Sequence, residues 1–248
     1  MELFIAGCSV TWSKRMASCY LVDKHILFDC GEGTINNLFR CFDESVVNGI
    51  DYIFLTHFHS DHLFGITPYI AKMVNSSTLP QKKLTVVGGE GLRKIIEFMV
   101  PNHISGCEVN IDDYLNLIEI TDYSTQIKVD NYIVKPFKLN HGYIDDTGYL
   151  ICTNEGVLGY TGDTIFNDAL VTFASKCDAM LCDTSDFKNS YSHNGVEGYM
   201  ELKKRFPKLN LYAVHCRDAV FSDAEKLGLK IVSELETYNF VRGDLVKV

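Results

Sequence analysis

The stretch Thr56-His57-Phe58-His59-Ser60-Asp61-His62 follows directly on the apolar run Tyr52-Ile53-Phe54-Leu55. A short apolar run bounded by polar residues predicts a strand, here over residues 51–55. Extended backbone alternates its side chains, so His57 and His59 leave the strand on the same side. Asp61 and His62 fall where the chain leaves the strand and can turn into a helix. Three imidazoles and a carboxylate within residues 57–62 are too polar for a core. They are the donor types that suit zinc, iron or manganese. The bland alternative is a solvated histidine-rich loop, against which the density of metal-donor types argues.

Around this cluster the chain reads as short strands with interspersed helices. Strands are expected over 2–6, 19–22 and 26–29, the latter two as a hairpin about Asp23-Lys24. Ile35, Leu38 and Phe42 recur at helical spacing, so 34–42 reads as a helix. A strand over 84–87 and a helix over 91–100 follow, joined by Val87-Gly88-Gly89-Glu90-Gly91. That glycine run lacks the spacing and the lysine of a phosphate-binding loop, so it reads as a strand-to-helix turn. In the second half, strands are expected over 126–129, 132–139, 149–153, 157–161, 179–182 and 209–214. Helices are expected over 167–176 and 196–206. Pro136 cannot donate to a ladder, which puts strand 132–139 near an edge. Strand-rich runs with helices in both halves predict two packed sheets with helices outside, an α/β sandwich. No linker or repeat interrupts the chain, so residues 1–248 are read as one domain.

Composition narrows the function. The 248 residues are 46% hydrophobic and 22% charged, as in an ordinary globular protein. No run approaches the roughly 18 apolar residues of a membrane-spanning helix, and Met1–Gly7 reads as a strand rather than a secretion signal. Nine cysteines, odd in number and without a CxxC, predict free thiols in a reducing compartment, so a cytoplasmic location is expected. A net charge of −9 with no lysine or arginine block argues against the basic track that a stable nucleic-acid complex requires. A small anionic substrate fits better.

The HxHxDH pattern resembles the metallo-β-lactamase superfamily, whose αββα sandwich is thereby implied. Asp29-Cys30-Gly31-Glu32-Gly33 stands where that superfamily has a turn ahead of the cluster. His141, Asp163 and His215 each follow a predicted strand, where the remaining ligands should stand. The resemblance implies two divalent cations, zinc or manganese. His57, His59 and His141 would hold one, Asp61, His62 and His215 the other, and Asp163 would bridge them. Such a pair readies a water for attack near neutral pH, and Asp61 would also orient that water.

Fold alone does not choose among the lactamases, thioesterases and phosphodiesterases of this superfamily. A histidine outside the ligand set does discriminate, because a departing alkoxide benefits from a proton donor. His193, in Ser192-His193-Asn194-Gly195, follows the acidic loop Asp183-Thr184-Ser185-Asp186 and precedes a helix. It resembles the catalytic, phosphate-contacting histidine of ribonuclease Z-like enzymes, with Asp183 or Asp186 the candidate to orient it. Asn194-Gly195 departs from the hydroxyl-bearing residues usual there. Ribonuclease Z also carries a long tRNA-gripping arm between the residues matching His141 and Asp163, whereas here residues 142–162 hold only a predicted hairpin. The armless pattern is similar to the anti-Pycsar proteins, which hydrolyse cyclic nucleotides. A cyclic nucleotide phosphodiesterase, with cyclic CMP or UMP as substrates and a homodimeric state, is the expectation. The competing readings are a tRNA 3′ endonuclease lacking its own arm, a thioester or lactam hydrolase, and a nucleotide-binding sponge.

Weaker signals remain. Trp12, the one tryptophan, lies in Ser9-Val10-Thr11-Trp12-Ser13-Lys14-Arg15 and either stacks on a nucleobase or packs at an interface. Lys14 and Arg15 meet phosphate or solvent. Tyr143 and Tyr160 flank ligand residues and are candidates to line the pocket. Residues 75–83 read as an exposed loop, a lid or a subunit contact.

Overall fold

The computed structural model describes residues 1–75, 80, 82–103 and 109–248. The chain begins with β1 (Glu2–Gly7), β2 (Cys19–Val22) and β3 (Ile26–Phe28), then α1 (Thr34–Cys41) and α2 (Glu44–Asn48). β4 (Tyr52–Phe54) leads into α3 (Ser60–Leu63) and α4 (Ile66–Asn75), followed by β5 (Leu84–Gly89), α5 (Leu92–His103) and β6 (Leu115–Ile120). The second half carries β7 (Ile127–Val129), β8 (Tyr132–His141), β9 (Ile144–Thr153), β10 (Gly156–Tyr160), α6 (Asp168–Ala174), β11 (Ala179–Asp183) and α7 (Val196–Arg205). It ends with β12 (Asn210–Val214), α8 (Asp218–Ser222), α9 (Ala224–Leu227) and the hairpin β13 (Thr237–Val241) with β14 (Asp244–Lys247).

Among the described residues these strands form two sheets. One has the order β14-β13-β1-β2-β3-β4-β5-β6, the other β12-β11-β10-β9-β8-β7. Period-2 alternation sets the layers. Leu3 and Ile5 of β1 and Tyr20 and Val22 of β2 point inward, meeting Tyr149, Ile151, Leu158 and Leu181 of the other sheet. Their neighbours Phe4, Ala6, Cys19 and Leu21 point outward onto Ile35 and Leu38 of α1, Ile70 of α4 and Ile96 of α5. On the far side, Leu150, Met180 and Leu211 face Leu170 and Phe173 of α6 and Tyr199 and Leu202 of α7. Covered on both faces, these strands read as nearly continuous apolar runs. The result is the expected αββα sandwich. Among the described residues no helix is long and apolar enough to cross a membrane.

Several expectations need correcting. Strand β9 begins at Ile144, five residues before the expected start, because Asp145-Asp146-Thr147-Gly148 has poor strand propensity. Tertiary packing overrides it: a Cβ at Gly148 would lie 2.7 Å from Leu139 Cδ1 and 3.3 Å from Tyr160 O, so a larger residue here would have to displace its neighbours. Strand β8 does lie near an edge, as expected from Pro136: only β7 lies outside it and pairs no further than Val134, so Pro136 has a strand on one flank alone. Helices α2 and α4, strand β6 and the β13–β14 hairpin were not expected. The loop read over 75–83 lies largely outside the described residues. The eight described cysteines carry free thiols.

Candidate metal centre

The strands of both sheets deliver their chemistry at one edge of the sandwich. His57 follows β4, and the chain turns at His59 into α3, which carries Asp61 and His62. This turn is laced to the preceding loop: Cys30 N–H donates to His62 O at 2.8 Å, and Gly65 N–H to Cys30 O at 2.8 Å. A Cβ at Gly31 would lie 2.0 Å from Asp61 O, so that loop must be glycine there. His141 ends β8, which runs two residues beyond expectation. Asp163 follows β10 through Gly162, whose φ of +63° suits glycine. His215 follows β12 with φ +54°, pinned as its N–H donates to Cys8 O at 2.8 Å and as Ser9 Oγ donates to Cys216 O at 2.5 Å.

The seven side chains read as ligands from the sequence converge. His57, His59, His141 and Asp163 form one group of mutually close donor atoms, and Asp61, His62 and His215 another, each within 4.8 Å. Asp163 stands between them. Its Oδ2 is 3.8 Å from His57 Nε2 and 3.7 Å from His141 Nε2. Its Oδ1 is 3.2 Å from His62 Nε2 and 3.3 Å from His215 Nδ1. A third grouping brings Asp163 and His215 together with Asp183 and His193.

Whether this set fits a metal is answered by its unpaired atoms. His57 Nε2, His62 Nε2, Asp163 Oδ1 and His215 Nδ1 are buried and have no hydrogen-bond partner. Such orphans are rare and costly in folded proteins, and cations held by the two donor groups would satisfy them. Three of the cluster's imidazoles are supported from behind, as metal-binding imidazoles require. His62 Nδ1 lies 2.7 Å from Asp29 Oδ2 and His141 Nδ1 2.5 Å from Ser192 O. His57 Nδ1 lies 3.1 Å from both Asp146 Oδ1 and Thr56 Oγ1.

Charge follows the same layout. Burial and then the charge of His62 hold His57 well below its ordinary pKa, in the lone-pair form that binds metal. Burial opposes protonation of His62 and His215, but the carboxylates around them together outweigh it, Asp163 with Asp29 at His62 and Asp163 with Asp183 and Asp61 at His215. His62 is held well above its usual value and His215 is pushed up to about 10. A cation entering there competes with protons.

His193 lies beside the ligands rather than among the seven. Its ring is 4.6 Å from that of His141, and its Nδ1 is 3.0 Å from Asp183 Oδ2. Asp183 is therefore its orienting carboxylate, while Asp186 pairs with Arg217 at 3.1 Å. Burial lowers the His193 pKa, but the Asp183 hydrogen bond and charge prevail and raise it.

His59, Asp61, His141, Asp163, His193 and His215 line a cleft of about 890 Å³. Trp12, Tyr143 and Tyr191 stand at this cleft and are 99%, 98% and 77% exposed. Tyr160 is buried in the core instead, donating to Asp29 at 2.5 Å. Arg15 does not face the cleft as a free cation: it pairs with Asp218 at 2.8 Å and lies 3.5 Å over the Phe221 ring. Sequence reading missed Asp29 as the His62 partner, although the turn carrying it had been noticed, and missed Asp146 altogether.

The family model of the anti-Pycsar protein Apyc1 matches residues 1–238. The chain belongs to that family. Members of the metallo-β-lactamase fold share the architecture of this Apyc1-family chain. YhfI from Bacillus subtilis superposes with a TM-score of 0.77 at 15% identity, covering 96% of this chain and 99% of that one. Human tRNase Z, short form, superposes with a TM-score of 0.70 at 18% identity, covering 97% and 99%. Ribonuclease Z of Lachnoclostridium phytofermentans is 31% identical over 122 residues, 48% of the Apyc1-family chain but only 36% of the ribonuclease.

Proposed function

We propose that this protein is a dinuclear metal-dependent phosphodiesterase acting on 3′,5′-cyclic nucleotides, cyclic CMP and UMP among them. The observation that carries this reading is His193, a histidine outside the seven-residue cluster yet backed by Asp183 and lining the same cleft. In this reading His57, His59 and His141 hold one cation, Asp61, His62 and His215 the second, and Asp163 spans both. Bound cations of this kind supply Lewis acidity, neutralising charge on phosphoryl oxygens and acidifying water. Burial disfavours the Asp61 carboxylate, but His215 and His62 keep it ionised far below its usual range, so it can accept a hydrogen bond from the attacking water. With Nδ1 engaged by Asp183, His193 offers Nε2 to the cleft. It gives a proton there to the ribose oxygen as the phosphorus–oxygen bond breaks, leaving a nucleoside monophosphate. Trp12 at the rim stacks on the base.

Family membership supports the substrate class. Hairpin strands fill residues 142–162, leaving no room for a tRNA-gripping arm, and the net charge of −9 points the same way. Metal-loaded protein is to be incubated separately with cyclic CMP, UMP, AMP and GMP and the products separated. Ring opening is expected, with loss of turnover in His59→Ala and Asp163→Ala. Metal-loaded protein inert towards all four would discard the reading.

A further inference from the structure

Two aspartates back the ligand histidines, and the structure treats them differently. Asp29 is saturated. Its carboxylate accepts from Thr56 N–H at 2.8 Å, Thr56 Oγ at 3.0 Å and Tyr160 OH at 2.5 Å, besides facing His62 Nδ1 at 2.7 Å. Asp146 is equally buried, yet neither of its oxygens has a well-aligned hydrogen-bond partner. His57 Nδ1 lies 3.1 Å from Oδ1. Gly162 packs against the carboxylate: a Cβ there would lie 2.8 Å from both of its oxygens. A buried carboxylate with no bonded partner works against the fold, so stability of the protein does not account for its presence.

We propose that Asp146 is a positioning residue: it holds the His57 imidazole with Nε2 aimed into the metal site, and contributes to metal binding rather than to folding. Thr56 Oγ is equally near His57 Nδ1, and its proton goes to Asp29, so Thr56 and Asp146 both face that nitrogen as acceptors. On the chain, Asp146 joins the two sheets at the site. His57 comes from the end of β4, and Asp163 comes from the end of β10 one residue past Gly162. The proposal rests on the metal-holding reading of the cluster and is independent of the substrate.

The test compares the full-length wild type with Asp146→Asn, Asp146→Ala and Asp29→Asn. Zinc affinity is read by competition with a chromophoric chelator, and melting temperature is read in EDTA. Asp146→Asn should bind zinc about 10–100-fold more weakly and melt in EDTA no lower than wild type. Asp146→Ala, which removes the acceptor, should bind more weakly still. Asp29→Asn should lose both zinc affinity and EDTA melting temperature. Zinc affinity unchanged in Asp146→Asn overturns the proposal and assigns His57 to Thr56. A fall in EDTA melting as large as that of Asp29→Asn also overturns it, making Asp146 a fold residue. A wild type that takes up no cation removes the metal reading itself, and this role with it.

Discussion

His193 shows how one contact sets the chemistry of a side chain. Exposed, its imidazole would be mostly neutral near pH 7; beside Asp183 it keeps its proton to higher pH. A general acid works only while protonated, so kcat should be level at lower pH and fall as pH rises through the raised folded pKa. Asp183→Asn should move that alkaline limb to lower pH, and His193→Ala should abolish it in a pH–rate profile. His193→Ala should also lower kcat about 10²–10⁴-fold for a ribose leaving group. The loss should be far smaller for a p-nitrophenyl ester, whose leaving group needs no proton. The cluster was legible at this scale because three imidazoles and a carboxylate in residues 57–62 have no apolar role to play. His141, Asp163 and His215 were legible from their places after strands, helped by family resemblance. Asp146 was not, because a lone aspartate in a strand gives no sign that an imidazole from the other sheet will face it.

Among the elements, the loop bearing Trp12 borders the cleft. It is fastened through Asp218, which accepts from Ser13 Oγ at 2.9 Å, Lys14 N–H at 3.2 Å and Arg15 Nη1 at 2.8 Å. Trp12 itself is held with φ +63°, an uncommon conformation for a bulky residue, and meets almost nothing. If it stacks on the base, Trp12→Ala should raise KM by the equivalent of about 1–3 kcal/mol and leave kcat nearly intact. Asp218→Ala should show part of the same rise; steady-state kinetics on a cyclic nucleotide reads both, and an unchanged KM in Trp12→Ala would remove it from the binding site. Element prediction succeeded where periodicity was clean, as in α1 and α7, and failed where packing overruled propensity, as at the start of β9. The β13–β14 hairpin carried a signal that was passed over: Arg242-Gly243, both at positive φ, is a two-residue hairpin turn between alternating apolar residues.

Across the whole molecule, each group of ligands draws on both sheets. His57 and His59 come from the first sheet and His141 from the second; Asp61 and His62 come from the first and His215 from the second. Bound cations would thus cross-link the two layers, and ligands that bind only the folded state stabilise it by mass action. Stripping metal with EDTA should lower the melting temperature by several degrees, and zinc should restore it; calorimetry reads both. The core adds a separate limit at alkaline pH. Burial pushes the Cys8 and Cys30 thiols up from 9.0 to about 12. Their contribution to stability is complete below the ordinary thiol range and is lost as pH climbs from about 9 towards 12. Melting temperature should fall over that window, and the buried thiols should alkylate only as the chain opens, after exposed Cys41. The layered architecture was legible from alternating apolar runs, but the sheet to which each strand belongs was not, since pairing depends on contacts distant in sequence.

The backbone of His215 is tied to the segment that becomes the Trp12 loop, through its N–H to Cys8 O and through Ser9 Oγ to Cys216 O. An occupant that shifts this loop should therefore also tilt the His215 imidazole in the candidate metal cluster. In cobalt-substituted protein the visible absorption should change when an uncleavable cyclic nucleotide analogue is added. Occupancy of the cleft would then register as colour before any covalent chemistry begins.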